Sequence, residues 1–151
     1  MPVHPSLHWS AHLSDQAVRV VWFGVLLVHG LGHFGALAAL AWLAVRPGTA
    51  TGPWTAARSW LVPLLARGTA TLVASAFWIA SLVGFVLAAL LFWFGSGDAW
   101  QPLAIASAVV STLGIVLFFG TWPMFNTAAA LGVNALVLVA LLILHWTPPP
   151  G

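Results

Sequence analysis

Four apolar runs, at residues 20–45, 69–94, 102–119 and 125–146, limit what this chain can fold into more than any other feature. A helix crosses the hydrocarbon layer of a bilayer with roughly 20 apolar residues, or about 17 to 25. All four runs fall in that range or close to it, and the third is the shortest. In lipid, every backbone N–H and C=O must find its partner inside the chain, so each run predicts a transmembrane helix. The boundaries carry their own signals. Arg19 and Arg46-Pro47-Gly48 close the first run, and Ser14 is a candidate N-cap for a helix that starts above the membrane. The second lies between Arg67-Gly68 and the turn Gly95-Ser96-Gly97-Asp98. The third opens on Pro102, a residue suited to a first turn, and Pro148-Pro149-Pro150 stops the fourth. The expected fold is all-α: an integral membrane antiparallel four-helix bundle forming a single domain over residues 1–151.

Charge supports the same reading. Hydrophobic residues make up 62% of the chain and charged residues 4%. A soluble domain carries about 25% charged residues, so this chain cannot cover a water-facing surface on all sides. Disorder, a nucleic-acid-binding basic face and paired-carboxylate chemistry are excluded as well, the last because Asp15 and Asp98 are the only acids. The pI of about 11.5 reflects four arginines against those two acids and marks no basic patch. Without cysteine there is no disulfide, thiolate zinc site, iron–sulfur cluster or thiol nucleophile.

Tryptophans mark the ends of the runs. Trp22 and Trp42 stand one bilayer thickness apart on a helix, and Trp93, Trp100, Trp122 and Trp146 fall at predicted ends, as interfacial indoles do. Trp78 alone sits well inside a span. The segment 55–67, broken by Pro63, is too short to cross and reads as interfacial, with Trp54 and Trp60 at headgroup depth. The N-terminal 45 residues lack the basic start and cleavage site of a signal peptide. Arg46, Arg58 and Arg67 belong to the first connection and Arg19 to the N-terminal side. The positive-inside rule then puts that connection in the cytoplasm and both termini outside the cell membrane.

Helices in lipid associate through small residues and interhelical hydrogen bonds. On the first helix His29, Gly32, His33, Ala36 and Ala39 share a face, with Gly35 beside them. Helix 2 offers Thr71, Ser75, Trp78 and Ser81; helix 3 offers Ser107, Ser111 and Gly114; helix 4 offers Thr127, Ala130 and Asn134. These faces are expected to meet, leaving Phe, Leu and Val for lipid or partner subunits. His33, Asn134 and Ser111 fall near mid-depth, with His29 one turn away, so the spacing allows a polar cluster of these four.

Six histidines against two acids is the unusual feature of the composition. His29 and His33, four residues apart, present both imidazoles on one side of a helix, as a shared metal ion would need. The pair lacks the glutamate of the zincin motif, and no span supplies Asp, Glu or Cys as a third ligand. Either histidine alone can ligate a haem or other tetrapyrrole, although one macrocycle held by both is unfavourable because axial ligands lie on opposite faces. Three readings stand: neutral imidazoles hydrogen-bonded across the bundle, a cofactor or metal site at His29 and His33, or a proton or ion pathway. His4, His8 and His12, also at intervals of four, and His145 lie toward the side where both termini emerge. They read as surface histidines, or as the upper rungs of a ladder leading down to His29 and His33.

The run His29-Gly30-Leu31-Gly32-His33-Phe34-Gly35 resembles the His-Gly-Leu-Ile-His-Leu-Leu-Gly run of a family of small bacterial four-helix membrane proteins, often labelled "ABC transporter permease". Phe125-Asn126-Thr127 and Asn134 loosely resemble the Phe-Gly-Thr-then-Asn opening of that family's fourth span. The Asp and Lys usual before it are replaced here by Thr121-Trp122-Pro123-Met124. The resemblance implies a four-span order and no specific chemistry, and four spans leave little room for the cytoplasmic coupling helix of a permease. The expected role is a small non-enzymatic subunit or anchor of a larger membrane assembly, in contact with lipid and with partner proteins or further copies of itself. The competing role is a small transporter or proton-conducting protein using the polar interior stripe. No nucleophile with its base, acid pair or phosphate loop points to an enzyme.

Overall fold

The computed structural model describes residues 5–45, 67–95 and 97–147. They form four helices: α1 (Pro5–Val45), α2 (Arg67–Phe94), α3 (Trp100–Leu117) and α4 (Met124–Leu138). A single π-helical turn, Val139–Ile143, continues α4. There is no strand among the described residues. Each helix contains, or with its π turn completes, a stretch long and apolar enough to cross a bilayer: Asp15–Ala39, Gly68–Phe94, Trp100–Leu117 and Met124–Ile143. The chain is an all-α four-helix bundle of the integral membrane kind. The interfacial segment predicted at 55–67 lies outside the described residues except for Arg67, the first residue of α2.

Two boundaries differ from expectation. Helix α1 starts at Pro5, so Ser14 lies inside it and is no N-cap. After Pro5, suited to a first turn, no glycine or proline interrupts the chain before Gly24, and nothing stops the helix where its apolar stretch begins. Its 41 residues measure roughly 62 Å, about twice the thickness of the hydrocarbon layer. The other difference is the π turn, which no side chain in Val139–Ile143 explains. It ends on His145, held at φ 47°, where the Trp146 N–H bonds the Ala140 carbonyl at 2.9 Å.

Packing follows chain order: α1 on α2, α2 on α3, α3 on α4, while α1 and α4 barely touch. Glycines set the two closest seams. A Cβ on Gly30 would lie 3.0 Å from the Cβ of Phe85, and one on Gly114 would lie 2.9 Å from the Cβ of Phe77. Gly84 presses against Ser107. The α1 stripe expected to pack therefore needs correction. Gly30, not Gly32 or Gly35, makes the close approach, and the latter two have no neighbour within 4 Å of a would-be Cβ. The buried line of α1 runs through Trp22, Leu26, Gly30 and His33.

The core has two apolar clusters. One gathers Leu26, Phe85, Ala88, Ala104 and Val137; the other gathers Ala74, Trp78, Ile115 and Phe118. Several tryptophans expected at the interface pack inward. Trp22 contacts Trp146 with ring centroids 4.9 Å apart, Trp100 meets Phe92 at the same distance, and the Arg19 guanidinium lies 5.5 Å from the Phe92 ring. This aromatic cluster joins the middle of α1, the end of α2, the start of α3 and the segment after α4.

Candidate functional site

Helix α1 places His29 and His33 one turn apart, with ring centroids 5.2 Å apart and planes nearly perpendicular. His29 Nε2 meets Asn134 Oδ1 at 2.8 Å; Asn134 Nδ2 donates to Ser111 Oγ at 2.9 Å; Ser111 Oγ lies 3.3 Å from His33 Nε2. The Asn134 carbonyl only accepts, so His29 donates from Nε2. Ser111 Oγ accepts from the Asn134 amide and shares a second hydrogen bond with His33 Nε2. This bonded chain leaves α1, passes through α4 and α3, and returns to α1 one turn further on.

Its members are well shielded: Asn134, Ser111 and His33 are buried and His29 half-buried. Aromatic rings fix the imidazoles from behind. His29 stands edge-on to Phe85 at 4.6 Å, and His33 stacks on Trp78 at 5.7 Å. A polar group taken from water into an apolar setting costs several kcal/mol unless it is bonded, and the chain meets that requirement reciprocally. It also links α1 to α4, which share little other contact.

The remaining predicted polar residues behave differently. Ser107 and Ser75 do not join the chain; each hydroxyl bonds the carbonyl four residues earlier on its own helix, Leu103 and Thr71 respectively. Ser81 is fully buried and its hydroxyl has no partner among the described residues. His145 is exposed, beyond the end of the π turn. His4 lies outside the described residues, and His8 and His12 are described only as part of the α1 backbone.

Between α1 and α4 lies a groove of about 780 Å³. Trp78 and Ile115 contribute to its depth, Gly32, Gly35 and Ala36 to one wall, and Ala129, Ala130 and Val133 to the other; His29 and His33 also face it. The sequence reading found the histidines and overlooked the groove. The available signal was a set of glycines, Gly24, Gly32 and Gly35, on a face of α1 that touches no other helix.

Among the described residues no three His, Cys, Asp or Glu side chains gather as a metal ion would need. Both Nε2 atoms of the pair are turned to Asn134 and Ser111, so a metal held by both through Nε2 would replace two hydrogen bonds. Comparison with protein families, with curated proteins and with solved structures finds no match to this chain.

Proposed function

We propose that the protein is a small, non-enzymatic subunit or anchor of a larger assembly in the cell membrane, with both termini on the extracytoplasmic side, and that the α1–α4 groove is where it acts. One observation carries this reading: α4 is joined to α1 by the His29–Asn134 bond, with little packing beside it, which leaves a recess at membrane depth. Large apolar side chains such as Val28 and Phe125 are exposed along the groove, where lipid or partner helices would lie. The test is gentle solubilisation of the tagged protein from its native membrane, followed by measurement of mass and composition. A defined membrane partner in fixed ratio is expected; a solitary chain or a pure homo-oligomer would contradict the proposal.

A metal or tetrapyrrole on His29 or His33 is the cofactor version of this reading. It requires an imidazole to exchange its Nε2 bond for the metal or to ligate through Nδ1. A Soret band or stoichiometric metal in the solubilised complex would select it. The transport reading is favoured by one feature, the unbroken bonded chain of His29, Asn134, Ser111 and His33. Against it, the chain begins and ends on α1 one turn apart, so it carries a proton only about 6 Å along the bilayer normal. Flux across liposomes containing the protein alone, above that of empty liposomes, would select transport.

A further inference from the structure

We infer that the N-terminal extension of α1 binds a first-row divalent transition metal, Zn²⁺ in kind, through His8 and His12. The inference goes beyond the assembly reading and does not use the groove. Helix α1 begins at Pro5, whereas its apolar stretch begins at Asp15. Residues 5–14, roughly 15 Å of helix, therefore continue past the membrane-spanning part. His8 and His12 stand on that extension four residues apart, a spacing that places both on one helix face, about 6 Å apart along the axis. Two histidines of one helix bind a single Zn²⁺ at this spacing. The spacing carries that meaning only where the backbone is helical, which a helix capped at Ser14 would not have supplied.

The remaining ligand chemistry of the chain gathers at the same end. Trp22 contacts Trp146 at 4.9 Å and Phe23 contacts Trp93 at 5.0 Å, so the middle of α1 is level with the end of α2 and the segment after α4. Asp98, in the turn between α2 and α3, and His145 are exposed at this end. The sequence has no histidine or acid between His33 and Asp98, or between Asp98 and His145. Every such residue outside the His29–His33 pair thus belongs to one end of the bundle, while Arg46, Arg58 and Arg67 belong to the connection at the other. Arg19 is the one arginine on the histidine side, and its guanidinium lies over the Phe92 ring.

Chemistry narrows the ion. Imidazole nitrogen suits Zn²⁺, Cu²⁺ and Ni²⁺, whereas Ca²⁺ and Mg²⁺ prefer oxygen. Two histidines leave coordination positions for water. Asp15 shares the face, three residues past His12 and seven past His8. Seven residues are roughly 10 Å of helix, too long a span for one ion to be held by all three, so Asp15 favours the cation by its charge and does not complete the ligand set.

The test is calorimetric titration of Zn²⁺ into full-length, tag-free protein in phosphatidylcholine nanodiscs, with empty nanodiscs as the blank. Expected is saturable binding of one Zn²⁺ per chain, with Mg²⁺ giving none. His8→Ala and His12→Ala should each weaken binding about tenfold or more, and alanine preserves the helix. Asp15→Asn should weaken it about threefold. A spacing variant separates a helical site from a merely histidine-rich tail. His12→Ala combined with Leu13→His keeps the number of histidines, turns the second about 140° from the first, and should bind as weakly as His12→Ala alone. His145→Asn, which tolerates the left-handed backbone at that position, should bind as the parent does. No saturable binding, parental affinity in His8→Ala or in the spacing variant, or equal affinity for Mg²⁺ would overturn the inference. Each of these results leaves the co-purification test of the subunit reading untouched.

Discussion

At the scale of single residues, Asn134 holds the polar chain together. It is 1% exposed, receives a bond from His29 and gives one to Ser111, so it serves α1, α3 and α4 at once. Hydrogen bonds between membrane helices are worth about 0.6 kcal/mol on average and up to about 1.7. Asn134→Leu, which breaks two and strands the partners, is expected to lower stability by about 1–3 kcal/mol in a reversible unfolding assay in micelles. A double-mutant cycle of His29→Leu with Asn134→Leu should give a coupling of about 1 kcal/mol, and additivity would place the two side chains apart. Ser81 predicts the contrary behaviour. Its buried hydroxyl is unpaired among the described residues, so Ser81→Ala should be neutral or stabilising by up to about 1 kcal/mol in the same assay. Much of this cluster was legible in the sequence. Helical periodicity and depth bring His29, His33, Ser111 and Asn134 to one level, because polar side chains in lipid turn toward each other. Periodicity does not say which hydroxyl prefers its own helix, and that choice separates Ser107 and Ser75 from Ser111.

At the scale of helices, glycine positions divide into two kinds with opposite expected responses. Gly30→Ala and Gly84→Ala push a methyl into Phe85 and Ser107 respectively and should destabilise by about 1–3 kcal/mol. Gly32→Ala meets nothing and should stabilise by about 0.5–1 kcal/mol through helix propensity alone. Equal responses at the three positions would show that α1 is rotated from the orientation described. The end of α4 offers another check. His145 occupies a left-handed conformation that disfavours side chains by about 1–2 kcal/mol, so His145→Gly should stabilise by about 1 kcal/mol and retain the Trp22–Trp146 contact. The sequence located all four helices because apolar length is a strong signal in lipid. It missed the N-terminal extension of α1, where no residue breaks the helix and hydropathy says nothing about helix continuing into water. It also missed the π turn, which has no marker residue.

At the scale of the whole molecule, the bundle is packed in series, with seams α1–α2 and α2–α3 close and α1–α4 open. Apolar side chains line its outside, Phe34 at 61% and Phe125 at 83% exposure, which is a stable arrangement only in lipid or against partners. The chain contains no cysteine, so single-cysteine spin labels report each site without background. Labels at Phe34→Cys and Phe125→Cys in liposomes should be highly accessible to oxygen and poorly accessible to a water-soluble nickel complex. A label at exposed Gln16, near the start of the apolar stretch of α1, should show the reverse order. High nickel accessibility at Phe34 would contradict the membrane arrangement.

The polar chain that joins α1, α3 and α4 is tested most directly by nitrogen-15 NMR of histidine-labelled protein in nanodiscs, which reads which ring nitrogen of each imidazole carries the proton. Because Asn134 Oδ1 only accepts, the account predicts a protonated Nε2 at His29, with the signals of both imidazoles shifting in Asn134→Leu. An unprotonated Nε2 at His29, or spectra that Asn134→Leu leaves unchanged, would contradict it.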